Sequence, residues 1–147
     1  MSNPTVYPWS IHGFLTATFK DPESSSGYSS VRGTGTLVSE NCILTAAHCL
    51  HRLNEQTSTF ESPVNIRFIT GLQNAWLIFG KKMNVEIQAL DFFVHPKYLE
   101  GNTLDYDFGL VKLDTPIGKT TGWASLKYYE EKQLSKLKIN VTGYPWY

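Results

Sequence analysis

Two residues of this chain have the type and setting for proton transfer. His48 lies near the end of NCILTAAHCL, residues 41–50, where an apolar run passes into two alanines and then an imidazole. A hydrolase that uses a neutral imidazole as general base holds the ring at a cleft edge with one nitrogen free. A buried carboxylate fixes the other nitrogen and stabilises the imidazolium when it forms. A histidine just past a packed strand meets the first need, and Ala46 and Ala47 leave room around the ring. An aspartate that opens another buried strand meets the second, and Asp107 in DYDFGLVKL stands directly before the apolar run Phe108 to Leu113. Asp105 is a rival carboxylate two residues earlier, on the same side of an extended segment. Each feature alone has a bland reading: a histidine after a strand is usually an ordinary surface or core residue, and an aspartate before one is usually a turn residue.

The elements that must position these residues read as strands. Helical periodicity is almost absent, and short β-like runs recur between Gly, Pro, Asn, Asp and Ser. Ile11 to Phe19 is rich in β formers. Asp21 to Gly27 is a loop, and the serine cluster at 24–30 reads as flexible. Gly35 to Val38 and Ile43 to Ala46 form an expected hairpin that turns at Ser39-Glu40-Asn41. Val64 to Ile69 alternates, with Val64, Ile66 and Phe68 on one face. Ala75 to Phe79, Val85 to Val94 and Phe108 to Leu113 continue the pattern, and Ile139 to Gly143 reads as one more strand. The charged stretch Tyr128 to Lys138 suits a short helix or a linker. Tyr7, Trp9, Phe14, Phe19, Phe92 and Phe93 are expected to fill barrel cores and seal their ends. Strands this short and regularly spaced imply an all-β sandwich or barrel.

The bulk composition narrows the function classes. A chain of 147 residues is long enough for one domain with its own core. Its 13 basic and 13 acidic side chains are spread along it, and no basic run exceeds Lys81-Lys82. Nucleic-acid and membrane-surface roles need clustered positive charge, so both are disfavoured. The start, MSNPTVYPWS, lacks the cationic and apolar regions of a secretory signal. The chain is therefore expected to stay inside the cell, or to be a mature form, which would be extracellular. Cys42 and Cys49 are too few for a disulfide framework and read as free thiols.

The order of residues also carries a family resemblance. GTGTLVSENCILTAAHC, residues 33–49, closely resembles the histidine motif of trypsin-like serine proteases. The similarity is greatest to the bacterial glutamyl endopeptidase branch, with similar segments at HPKYLEG (95–101), YDFGLVKLDTPIG (106–118), TGW (121–123) and INVTGYP (139–145), in family order. The resemblance implies a chymotrypsin-like fold of two antiparallel β-barrels with the active site between them. It implies that His48 is the general base and Asp107 its orienting partner, preferred to Asp105 because the family places its aspartate immediately before the strand. It implies a protein or peptide substrate, no metal and no cofactor, and any preference for cleavage at acidic residues rests on the branch alone.

The chain departs from the family in two places. The nucleophilic serine and the oxyanion-hole donors belong to a Gly-x-Ser-Gly motif in the second barrel, and no such motif occurs in these 147 residues. The expected organisation is an N-terminal barrel at 1–118, a linker at 119–138 and the start of a truncated second barrel at 139–147, inactive alone. The rival expectation is a non-catalytic half-barrel that serves as an interaction module or is the remnant of a broken protease gene. The second departure is at Gly33, where many relatives carry a cysteine that pairs with the one after the histidine. Three other features have weak claims. Cys42, His48, Cys49 and His51 do not match a standard zinc spacing. Asn140-Val141-Thr142 is a glycosylation sequon of the kind chance supplies. His12 and His95 are expected to be structural.

Overall fold

The computed structural model describes residues 6–54, 57–70, 86–101 and 104–144, without the Glu86 side chain. Eight strands follow one another: β1 (His12–Lys20), β2 (Tyr28–Leu37), β3 (Cys42–Thr45), β4 (Arg52–Asn54), β5 (Thr59–Glu61), β6 (Asn65–Thr70), β7 (Glu86–Val94) and β8 (Gly109–Leu113). Six of them close an antiparallel barrel in the order β1-β2-β3-β8-β7-β6, with β1 pairing back onto β6. β4 and β5 form a separate two-stranded ribbon. Among the described residues three short α-helices lie outside the barrel: α1 (Pro96–Leu99), α2 (Gly118–Thr121) and α3 (Glu131–Leu134).

Alternation puts every second residue of a strand inside. β1 buries Leu15, Ala17 and Phe19, β6 buries Ile66 and Phe68, and β8 buries Val111 and Leu113. Leu37 and Ile43 join them from the β2–β3 hairpin. Each such large apolar side chain contributes about 1.5–3 kcal/mol on leaving water. Phe68 lies across β1 so closely that a Cβ on Gly13 would stand 2.4 Å from its ring. Glycine at 13 therefore lets the backbone of β1 meet the largest class of core side chain.

The structure differs from the sequence reading in three places. β2 begins at Tyr28 rather than Gly35, so the end of the serine cluster is strand: Ser29 and Ser30 pair with Phe19 and Thr18. The polar run conceals this because its outer face meets water. Val64 precedes β6 and is exposed, so the buried face starts at Ile66. Tyr7 and Phe93 are exposed rather than core aromatics, whereas Phe19 and Phe68 are wholly buried. The expected strand at 75–79 and the start at Val85 lie outside the described residues.

Beyond β8 the chain crosses the barrel surface. Ile117 and Gly118 dock α2 on the β2–β3 turn, where the Gly118 N–H donates to the Glu40 carbonyl at 2.8 Å and Lys119 meets Glu40 at 3.2 Å. α3 realises the helical option for the charged stretch, with Glu130 and Gln133 forming a reciprocal capping box. Residues 139–144 run without a ladder partner among the described residues. At their end the Tyr144 N–H donates to Thr34 Oγ1 at 2.8 Å, and its ring meets Phe14 edge-on at 6.0 Å.

Candidate active site

β3 ends at Thr45 and hands the chain to a 3-10 turn, Ala47–Cys49. Ala47 and Cys49 are buried on either side of His48, so the turn is anchored by its flanks and His48 projects. Leu50 and His51 donate their N–H groups to the Ala47 carbonyl at 2.8 and 2.9 Å, which stiffens the turn from behind. Leu50 is wholly buried. The expectation of a histidine presented by a packed strand is met in this way, one turn past the strand's end.

Asp107 precedes β8, the strand that pairs with β3: Thr45 stands opposite Gly109 and Ile43 opposite Val111. That register brings the Asp107 carboxylate to His48 across 59 residues of sequence. Oδ2 lies 2.7 Å from His48 Nδ1, and Oδ1 accepts the His48 backbone N–H at 2.9 Å. One carboxylate thus grips both the ring and the backbone of the same residue. An ionised carboxylate only accepts, so Nδ1 carries the proton in this contact, and in the neutral ring Nε2 is the lone-pair nitrogen. His48 is 62% exposed and Asp107 31%. Asp105 is exposed and is not the carboxylate on the ring.

Partial burial pushes the Asp107 carboxyl up, but the hydrogen bonds from the His48 ring and backbone, the ring's charge and the Ala47 N–H together outweigh it. The net effect holds the group below the ordinary aspartate value. It is therefore ionised across the range in which imidazole titrates.

The segment after His48 is tied down by Arg52, which the sequence reading did not single out. Its guanidinium donates to Glu61 Oε2 at 2.7 Å, to Ser29 Oγ at 2.6 Å and to the Lys20 carbonyl at 2.9 Å, and it covers the Phe19 ring. Arg52 so clamps the β4–β5 ribbon to the β1–β2 hairpin. The only hint in the sequence is an arginine inside an otherwise mixed stretch. His51 packs between Phe60 and Phe92, and burial lowers its pKa. A groove of about 850 Å³ beside β5 and α1 is lined by His51, Phe60 and Leu99, and neither His48 nor Asp107 belongs to it.

Both cysteines are free thiols, as expected. A Cβ built on Gly33 would stand 2.6 Å from Cys49 Sγ, so the two positions are adjacent across the barrel wall. Burial raises the Cys49 thiol pKa, which makes it a packing group and not a nucleophile. No group of three His, Cys, Asp or Glu side chains suited to a metal ion occurs among the described residues. His12 is tied to Thr36 Oγ1 at 2.9 Å in the β1–β2 wall.

Comparison with known proteins follows the same lines. The family model described as Trypsin matches residues 11–146. A Bacillus licheniformis protein named glutamyl endopeptidase is 24% identical over 112 residues, 76% of this chain and 32% of its own length. A Bacillus subtilis protein named extracellular metalloprotease is 25% identical over 145 residues, 99% of this chain and 42% of its own length. The described residues supply no three-ligand cluster corresponding to that second name. Among solved structures, a Glu endopeptidase in complex with MPD superposes with a TM-score of 0.62 at 26% identity, covering 88% of this chain and 51% of the other. The protease Anisep from Arthrobacter nicotinovorans shares the fold, with a TM-score of 0.60 at 15% identity over 82% of this chain and 51% of the other. The chain thus spans between about a third and about half of the length of these relatives. With a closed six-stranded barrel, a histidine and an aspartate joined across it and a family match over nearly its whole length, the chain belongs to the trypsin family of serine proteases.

Proposed function

We propose that this chain forms the N-terminal barrel of a serine endopeptidase, with His48 as general base and Asp107 as the residue that orients it. The single observation that supports this most strongly is the two-point grip of the Asp107 carboxylate on His48 Nδ1 and N–H. In the reaction, His48 Nε2 takes the proton from a serine hydroxyl as its oxygen attacks the scissile carbonyl. Asp107 stays ionised and stabilises the imidazolium, which then returns the proton to the leaving amine. The serine and the oxyanion donors would come from a C-terminal barrel encoded outside these 147 residues. Residues 1–118 form the first barrel in this reading, 119–138 the linker and 139–147 the start of the second barrel. The substrate is a protein or peptide, and the names of the glutamyl endopeptidase relatives point to cleavage beside glutamate.

The test has two stages. The source transcript is read past the codon for Tyr147, and a frame that reaches Gly-x-Ser-Gly is expressed whole. The chain alone is expected to leave a glutamyl peptide substrate intact, while the whole product cleaves it. His48→Ala should then lower kcat by about 10⁴ or more, the scale on which triad members act in well-studied serine proteases. An immediate stop codon, or a whole product indifferent to His48→Ala, overturns the reading and leaves a half-barrel with a non-catalytic use.

A further inference from the structure

The grip on His48 depends on where the Asp107 backbone stands, and the chain on its N-terminal side is a loop. Between β7 and β8 it runs through His95, α1 and Gly101, and returns at Leu104. At Asp107 it makes a tight three-residue turn, in which the Phe108 N–H donates to the Tyr106 carbonyl at 2.8 Å. Such a turn carries its outer two side chains to one side and its central one to the other. Tyr106 and Phe108 both meet His95, at ring-centre distances of 4.4 and 5.7 Å. The Tyr106 ring is tilted only 30° from the imidazole, close to a stack.

His95 is itself fixed from the other side. Its Nδ1 accepts the Lys97 N–H at 3.2 Å, its carbonyl accepts the Tyr98 N–H at 2.9 Å, and Pro96 follows it at the helix start. Lys97 closes the cluster: its ammonium donates to the Tyr106 hydroxyl at 3.1 Å and stands 5.0 Å from that ring's centre. Both neighbours of Asp107 are therefore packed on one imidazole, held at the end of β7 by Val94 opposite Gly109.

We propose that His95 is a positioning residue for the Asp107–His48 pair, acting through the stack of its ring on Tyr106 and Phe108. The inference rests on reading Asp107 as the carboxylate that orients His48. Its contribution is steric: without a flat ring at 95, residues 104–108 have no wall to lie against, and the carboxylate swings off Nδ1. A displacement of about 1 Å suffices to lose such a catalytic geometry.

The test reads the pair directly, on this chain as it stands. Long-range ¹H–¹⁵N spectra at pH 8 report which His48 nitrogen bears the proton. The native chain should show the Nδ1–H form, and its absence there would sink the Asp107–His48 reading itself before His95 is considered. His95→Phe keeps a ring and loses the cap acceptor; His95→Asn keeps an acceptor and loses the ring. Both are uncharged, so a difference between them is not a charge effect. His95→Phe should retain the Nδ1–H form. His95→Asn should shift His48 toward the Nε2–H form that free imidazole favours, in a barrel whose Val111 amide remains protected. Tyr106→Leu, which removes the other half of the stack, should match His95→Asn and replaces it if that variant does not fold. Retention of the native form in folded His95→Asn or Tyr106→Leu, or its loss in His95→Phe, overturns the proposal.

Discussion

The barrel and the tail beyond it use the same kinds of residue to opposite ends. In β1, β6 and β8 every second position is enclosed, and apart from Thr70 these positions carry no polar side chain, so Phe19, Phe68 and Val111 have no exposed surface. Beyond the barrel, residues 137–141 again alternate apolar and polar side chains, yet Leu137 is 43% exposed, Ile139 79% and Val141 90%. Strand patterning becomes structure only where a second surface meets it. The barrel supplies that surface to itself by closing, β1 onto β6. Among the described residues the tail meets the barrel at points such as the Ala124 N–H on the Leu37 carbonyl and Tyr144 on Thr34 and Phe14.

The most direct way to break this comparison is to empty the core. Phe68→Ala should cost about 3–5 kcal/mol and unfold much of the population, because Gly13 and Gly35 have no side chains to fill the space. Urea denaturation followed by tryptophan fluorescence measures it, and a loss below 1 kcal/mol would show that the barrel is not the folding unit. Stapling the barrel wall should widen the contrast. Gly33→Cys places a second sulfur beside Cys49 Sγ, and the resulting short loop should gain about 3 kcal/mol under oxidising conditions. The gain should vanish with reductant, and mass spectrometry reports whether the bridge forms.

Acid should act on the barrel in two stages. His12 and His51 have pKa values lowered by burial, so the unfolded chain binds protons more readily than the folded one below the ordinary imidazole value. Their contribution is complete above that value and declines as pH falls through it. Asp107 is held below its ordinary value, so its contribution persists above the normal carboxylate range and is lost as pH falls beneath it. Stability measured from pH 8 to 3 should therefore fall in both windows, and Asp107→Asn should remove part of the lower step only. The smallest effect belongs to the tail. Val141→Ser should change stability by about 0.5 kcal/mol or less, since the side chain is already in water. A larger loss would mean that the tail packs on something in solution.

Much of this was legible in the sequence, because the strands that matter alternate and the histidine motif is compact. The hairpin turn at Ser39 to Asn41 was open to reading along the chain, whereas the preference for Asp107 over Asp105 came from the family resemblance, and the structure puts Asp107 on the His48 ring. Features made by pairing between distant segments were not. Tyr28 to Ser30 is strand only because β1 runs beside it, and nothing local in Ser-Ser-Gly-Tyr-Ser-Ser says so. Ribbon β4–β5 is three residues a side and is held by Arg52 on Glu61, a contact no periodicity announces. The seat of Asp107 on both the ring and the backbone of His48 follows from the β3–β8 register, which hydrophobic pattern constrains only to the nearest face.

That register also has a consequence in time. β3 and β8 are distant in sequence, so their pairing belongs to the slow, long-range part of the search, after local hairpins such as β1–β2 have formed. His48 and Asp107 sit on opposite sides of this seam. A chain whose seam is still open has a histidine and an aspartate, but no oriented proton acceptor between them. The contact between His48 and Asp107 is thereby withheld from every form of the chain in which β3 and β8 have not yet paired.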